Sequence, residues 1–279
     1  MPKENTHLYF LDKVAQEIYE PEIKQLIEKH KDFFYLGSVA PDTFYYLKKT
    51  EPISDWFHGR DGNKTNIIIL DWLERAKQAQ DERAFIFVCG YLTHCALDIF
   101  FHPTICELSG DYHDPNPIKR RRAVYLHRYL ETVLDANLKH SFDFKTFIKW
   151  PKAKNLKPIF LALQARFNLT EDLFFKAFKN QFQKNLLFKS QRMFYLAYWL
   201  NKLHLADLEQ ELGLFYGNLK NNSFVFDEKF KQQDLKRYFA QAENYAKIMI
   251  AGALDFYKNR INLEQLAQII KGENLNSGL

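Results

Sequence analysis

The chain has 279 residues, of which 47% are hydrophobic and 26% charged, with a formal net charge of +5. That length supports a substantial core in one large domain or two small ones, and the balance of apolar and charged residues excludes long disorder. The mild positive charge permits attraction to phosphates or acidic lipid surfaces without requiring either.

Many aromatics (26 Phe, 15 Tyr) and few breakers (10 Gly, 9 Pro) favour helices. At the N-terminus, Asp12, Lys13, Gln16 and Glu17 break the first apolar stretch, so no signal peptide is expected and the expected location is cytoplasmic. Apolar residues then recur at three- and four-residue steps over 11–27, 67–79, 85–101, 124–138, 173–188, 193–205 and 238–257, which predicts an all-α, multi-helix bundle. The breaks fall on turn-forming clusters at 109–117 and 216–223. No apolar run reaches about 18 residues, which argues against a transmembrane segment. Cys89, Cys95 and Cys106 suit reduced thiols better than a disulfide framework. Without a repeat or linker, a single domain over 1–279 is expected, with residues 150–157 its only candidate seam.

The chemistry concentrates in the first half. In GYLTHCALDIFFHP (residues 90–103), His94, Asp98 and His102 are spaced by four and fall on one helix face. Pro103 predicts that this helix ends at His102. The flanking Phe85, Val88, Leu92 and Phe101 would bury the stripe, and buried polar groups need partners. A second helix repeats the device with His127 and Glu131, again among apolar neighbours. His7, Asp42 and His58 lie upstream. Nitrogen and carboxylate oxygen donors without thiolate suit zinc or a similar divalent ion, and facing helices are how bundles build such centres.

In order, THLYF (6–10), LGSVAPDTF (36–44), WFHGRDGNKT (56–65), GYLTHCALDIFFHP (90–103) and HRYLE (127–131) resemble the bacterial zinc-dependent phospholipase C family over about half the chain. The resemblance implies an all-helical fold, shared with fungal single-strand nucleases, and a three-metal site that hydrolyses phosphate esters. It implies that His58, His94 and Asp98 hold one zinc, that Asp98 bridges to a second reached by His7, and that His102, His127 and Glu131 hold a further ion. Asp42 matches an aspartate that acts as general base or orients the attacking water. Only six residues precede His7, fewer than in secreted members whose processed N-terminus ligates metal, so roughly two or three zinc ions are expected.

The expected function is a zinc-dependent phosphoesterase, most simply a phospholipase C-type hydrolase of phospholipids in which zinc-activated water attacks phosphorus. Two alternatives stay open: a nuclease or other phosphodiesterase on the same metals, with nucleic acid only as substrate, and a non-enzymatic, metal-stabilised helical module. Phe44, Tyr45 and Phe57 are candidates for a headgroup pocket, with packing the competing role. The run from Lys119 to Arg122 reads first as a solvated helix face. In 173–200, rich in Phe and Lys, a core stripe of Phe174, Phe178, Phe182 and Leu186 competes with peripheral contact to an anionic membrane.

Overall fold

The computed structural model describes residues 3–112, 114–138, 155–220 and 232–278. Its helices are α1 (Glu4–Glu17), α2 (Pro21–Lys29), α3 (Lys31–Thr43), α4 (Glu51–Phe57), α5 (Asn66–Gln78), α6 (Glu82–Ser109) and α7 (Pro117–Asn137). After the undescribed stretch come α8 (Lys157–Phe167), α9 (Glu171–Phe188), α10 (Gln191–Lys202), the single turn α11 (Glu209–Leu212), α12 (Gln232–Tyr257) and α13 (Leu263–Ile269). No strand occurs among the described residues, so the fold is all-α as the apolar period predicts. The seam expected at 150–157 falls mainly outside the described residues, as do His113 and His140.

α6 is the axis of the molecule. Asp81 caps its start by accepting from the backbone N–H groups of Arg83 and Ala84, and Gly110 at φ 92° ends it. By length and apolar composition this helix would be able to cross a membrane, yet 89% of its most apolar window lies inside the protein, as expected of a core helix. α1, α3, α5, α7 and α12 pack around it. One continuous core joins Phe10, Val39, Trp72, Phe101, Phe174 and Met249 from six helices. A smaller cluster of Phe188, Phe194, Ala197, Leu212 and Phe215 lies beside it.

The crossing of α3 and α6 depends on two glycines. A β-carbon on Gly37 would sit 2.0 Å from the carbonyl oxygen of Phe87, and one on Gly90 would sit 2.0 Å from that of Phe34. Each helix thus presses its backbone into the gap left by the other's missing side chain, and Ser38 and Asp42 are carried against His94. Gly90→Ala is expected to destabilise the fold by about 3 kcal/mol or more, because overpacking a rigid backbone contact leaves nothing flexible to move. An unchanged urea midpoint would show that the helices stand further apart.

Two sequence expectations change here. The period at 11–27 is two helices, since Ile18 turns extended and Pro21 takes the first turn of α2, where its missing N–H costs nothing. Pro103 does not end its helix: α6 runs on to Ser109. The lost hydrogen bond to Ile99 is local, while burial on all sides holds the remaining turns in place. His102 therefore stays in helical register with His94 and Asp98.

Candidate metal centre

Four-residue spacing on α6 puts His94, Asp98 and His102 one above another, all fully buried. The two oxygens of Asp98 divide their neighbours. Oδ2 lies 3.0 Å from His94 Nε2 and 3.5 Å from His58 Nε2, while Oδ1 lies 3.5 Å from His7 Nε2 and 3.8 Å from His102 Nε2. A carboxylate facing two groups of imidazoles in this way has the disposition of a bridging ligand.

Asp42 comes from the last turn of α3, and its Oδ1 lies 3.3 Å from His58 Nε2 and 3.6 Å from His94 Nε2. His58 follows α4 directly, and Gly59 at φ 82° then turns the chain away. The Nδ1–H of His58 donates to the Ser54 carbonyl at 2.7 Å, and that of His94 donates to the Ser38 carbonyl at 2.7 Å. These bonds place the proton on Nδ1 and leave Nε2 pointing into the cluster as a lone-pair donor, as metal-binding histidines commonly are arranged. From the far end of the chain, the backbone N–H of Leu275 donates to the His58 carbonyl at 3.1 Å, and the Asn274 side chain donates to the Gly59 carbonyl at 2.8 Å.

α1 supplies His7, whose ring stacks on that of His94 with centroids 3.7 Å apart and planes 3° from parallel. The start of α1 is anchored by Asp135 of α7, which accepts from the Thr6 N–H at 2.6 Å and the Thr6 hydroxyl at 2.7 Å, and also from the Tyr216 hydroxyl. Lys3 is buried beside it and donates to the Leu214 carbonyl; burial pulls its pKa down to about 8. The Glu4 carboxylate accepts from the Tyr46 hydroxyl and, at 2.8 Å, from Asn185. α7 brings His127 Nε2 within 2.9 Å of Glu131 Oε1, which lies 3.8 Å from His102 Nε2.

The donor atoms fall into three buried groups: His7, His94 and Asp98; Asp42, His58 and His94; and His102, His127 and Glu131. Both ring nitrogens of His7 and of His102, Nε2 of His58 and His94, both oxygens of Asp98 and Oδ1 of Asp42 are buried without a hydrogen bond. Each such atom costs about 1–3 kcal/mol unless something satisfies it. Burial holds His7, His102 and His127 well below the usual imidazole range. Burial also opposes charge on His58, but the carboxylates of Asp42 and Asp98 outweigh it and raise its pKa to about 9. Burial would raise Asp98, yet the positive field of His102, His94 and His58 holds its carboxyl well below the usual range. Converging imidazole nitrogens and carboxylate oxygens, buried without hydrogen-bond partners, fit divalent cations in donor chemistry. Cys95 is buried on α6 with its thiol pushed up by burial, and it stands outside the three groups.

All eight residues singled out from the sequence for metal or base roles therefore meet in one region. Of the candidates for a headgroup pocket, Phe44 and Phe57 are packed in the aromatic core against Phe174, Phe178, Trp72 and Tyr91. Tyr45 is different: its ring lies 5.6 Å from that of His58, it is half-buried, and its hydroxyl donates to Asp55 at 3.1 Å. On the opposite flank the Tyr112 ring lies 5.3 Å from that of His127, a neighbour the sequence reading missed. It missed Asp135 too, although the same four-residue step that links His127 and Glu131 leads to it. Lys119 to Arg122 are exposed, with Arg121 paired to Asp207.

A helical bundle with a buried cluster of imidazole and carboxylate donors defines the class: an all-helical protein with buried groups that could hold divalent metal. The family model for zinc-dependent phospholipase C matches residues 6–184, and the chain belongs to that family. Comparison with curated proteins and with solved structures gives no match.

Proposed function

We propose that this chain is a zinc-dependent phosphoric diester hydrolase that cleaves phospholipids in the manner of a phospholipase C. The observation that carries the reading is Asp98, with one oxygen toward His58 and His94 and the other toward His7 and His102, in a chain of the zinc-dependent phospholipase C family. His7, His58, His94 and Asp98 would hold zinc on one side, and His102, His127 and Glu131 on the other. Bound there, zinc would supply positive charge for the phosphoryl oxygens and would acidify water held in the site.

Asp42 has a free Oδ1 in the midst of these donors, where it orients the attacking water and takes its proton. The bond from phosphorus to the glycerol oxygen breaks, the proton passes to that oxygen, and diacylglycerol and a phosphorylated headgroup leave. Tyr45, beside His58 and tied to Asp55, would line the headgroup side. Binding to lipid assemblies requires peripheral contact with a membrane surface.

Asp42→Asn tests the reading. The variant is expected to keep its zinc and to lose release of phosphorylated headgroup by about a hundredfold or more, the scale of a lost general base. Undiminished hydrolysis would remove Asp42 from the reaction. Cleavage of single-stranded nucleic acid by the wild type, with phospholipids untouched, would overturn the substrate assignment and leave the metal chemistry standing.

A further inference from the structure

The inner face of α10 is ordinary: Phe194 and Ala197 enter the smaller core, where Phe194 lies against Phe215 and beside the backbone of Gly217. The outer face is not. A helix packed on one side is expected to turn polar residues to water, but here Tyr195, Leu196, Tyr198 and Trp199 point outward, followed by Leu203 and Leu205 in the next turn. Trp199 is 51% exposed, Leu203 60% and Leu205 70%. Leu196, Trp199 and Leu203 follow one another at helical steps, so the apolar surface is a continuous stripe rather than scattered side chains.

Charge selects what would cover it. From residue 173 to residue 206 there are six Lys or Arg residues and no Asp or Glu. Lys176, Lys179, Lys184, Lys189, Arg192 and Lys202 are all exposed. Lys202 lies 4.9 Å from the Trp199 ring, so a cation stands at the edge of the stripe itself. Trp and Tyr rings with Leu between them, bordered by long cationic side chains, match the headgroup layer of a bilayer: the rings settle at the level of the glycerol and the ammonium and guanidinium groups reach lipid phosphates. The cluster beneath the stripe is bordered by Tyr46 and Tyr125, which stand next to Tyr45 and two residues before His127 in the sequence.

We propose that the outer face of α10 and the turn after it docks on an anionic phospholipid bilayer, holding the protein where the metal centre draws its substrate. This rests on the phospholipase reading for its purpose, though not for its evidence. α9 contributes cations while its Phe174 and Phe178 remain in the core, so the docking element is α10 rather than the Phe-rich stripe before it.

The test compares wild type with a Trp199→Ser, Leu203→Ser double variant in co-sedimentation with vesicles of phosphatidylcholine mixed with phosphatidylglycerol, and of phosphatidylcholine alone. Zinc content and hydrolysis of a short-chain phosphatidylcholine dispersed as monomers are measured in parallel. The wild type is expected to bind mixed vesicles, less so at high salt, and the variant to bind about tenfold more weakly or worse, with unchanged zinc and unchanged rate on monomers. Equal binding by both proteins, or none by the wild type, overturns the docking surface. A wild-type dimer that the variant converts to monomer, with vesicle binding unaffected, overturns it in favour of a second copy. Binding lost in the variant while neither protein cleaves phospholipid leaves the docking face standing and defeats the phospholipase reading; cleavage of monomers without vesicle binding does the reverse.

Discussion

An Asp98→Asn variant is expected to lose zinc from the side of the cluster formed by His7, His58 and His94, to keep zinc between His102, His127 and Glu131, and to lose hydrolysis by about a thousandfold or more. The asparagine preserves shape, so the effect isolates charge. A neutral amide has one oxygen to offer where the carboxylate divides two between opposed imidazole groups. The nitrogen would then face lone pairs of His7 and His102 or of His58 and His94, none of which has a hydrogen bond at Nε2. Elemental analysis beside the rate measures both halves. A variant that keeps all its zinc would mean that Asp98 bridges nothing.

Stripping zinc with a chelator is expected to lower Tm by about 10 °C or more. A site saturated a thousandfold above its Kd contributes about 4 kcal/mol, and for a chain of this size each kcal/mol moves Tm by about 2–4 °C. The candidate donors come from α1, α3, α6, α7 and the residue following α4, so ions held there would act as cross-links among helices distant in sequence. Calorimetry before and after chelation, with restoration by added zinc, is the measurement. A Tm that stays put while zinc leaves would place the ions elsewhere.

What the sequence reveals of this site and what it hides have one physical origin. His94, Asp98 and His102, and likewise His127 and Glu131, are legible because a helix converts a spacing of four into a shared face, and burial of that face follows from the apolar residues between. His7, Asp42 and His58 have no such internal relation; family motifs point to them, and the Gly37 and Gly90 contact brings α3, and with it Asp42, close to His94. Asp135 escapes notice because its partners, Thr6 and Tyr216, are about 80 residues or more away. The break near Pro21 and the continuation through Pro103 show the same proline rule overridden or obeyed according to packing, which a local pattern does not contain. The exposed aromatics of α10 share the period of a core helix, and only the fold decides which of its two faces is inside.

The grip of Asn274 and Leu275 on the turn after His58 separates two lengths along the chain. Every donor is in place by residue 131, yet the backbone that fixes one of them is secured more than 140 residues later. The turn that carries His58 is thus braced by a segment made after all of the other candidate donors, and changes at the end of the chain are expected to reach that imidazole through its backbone.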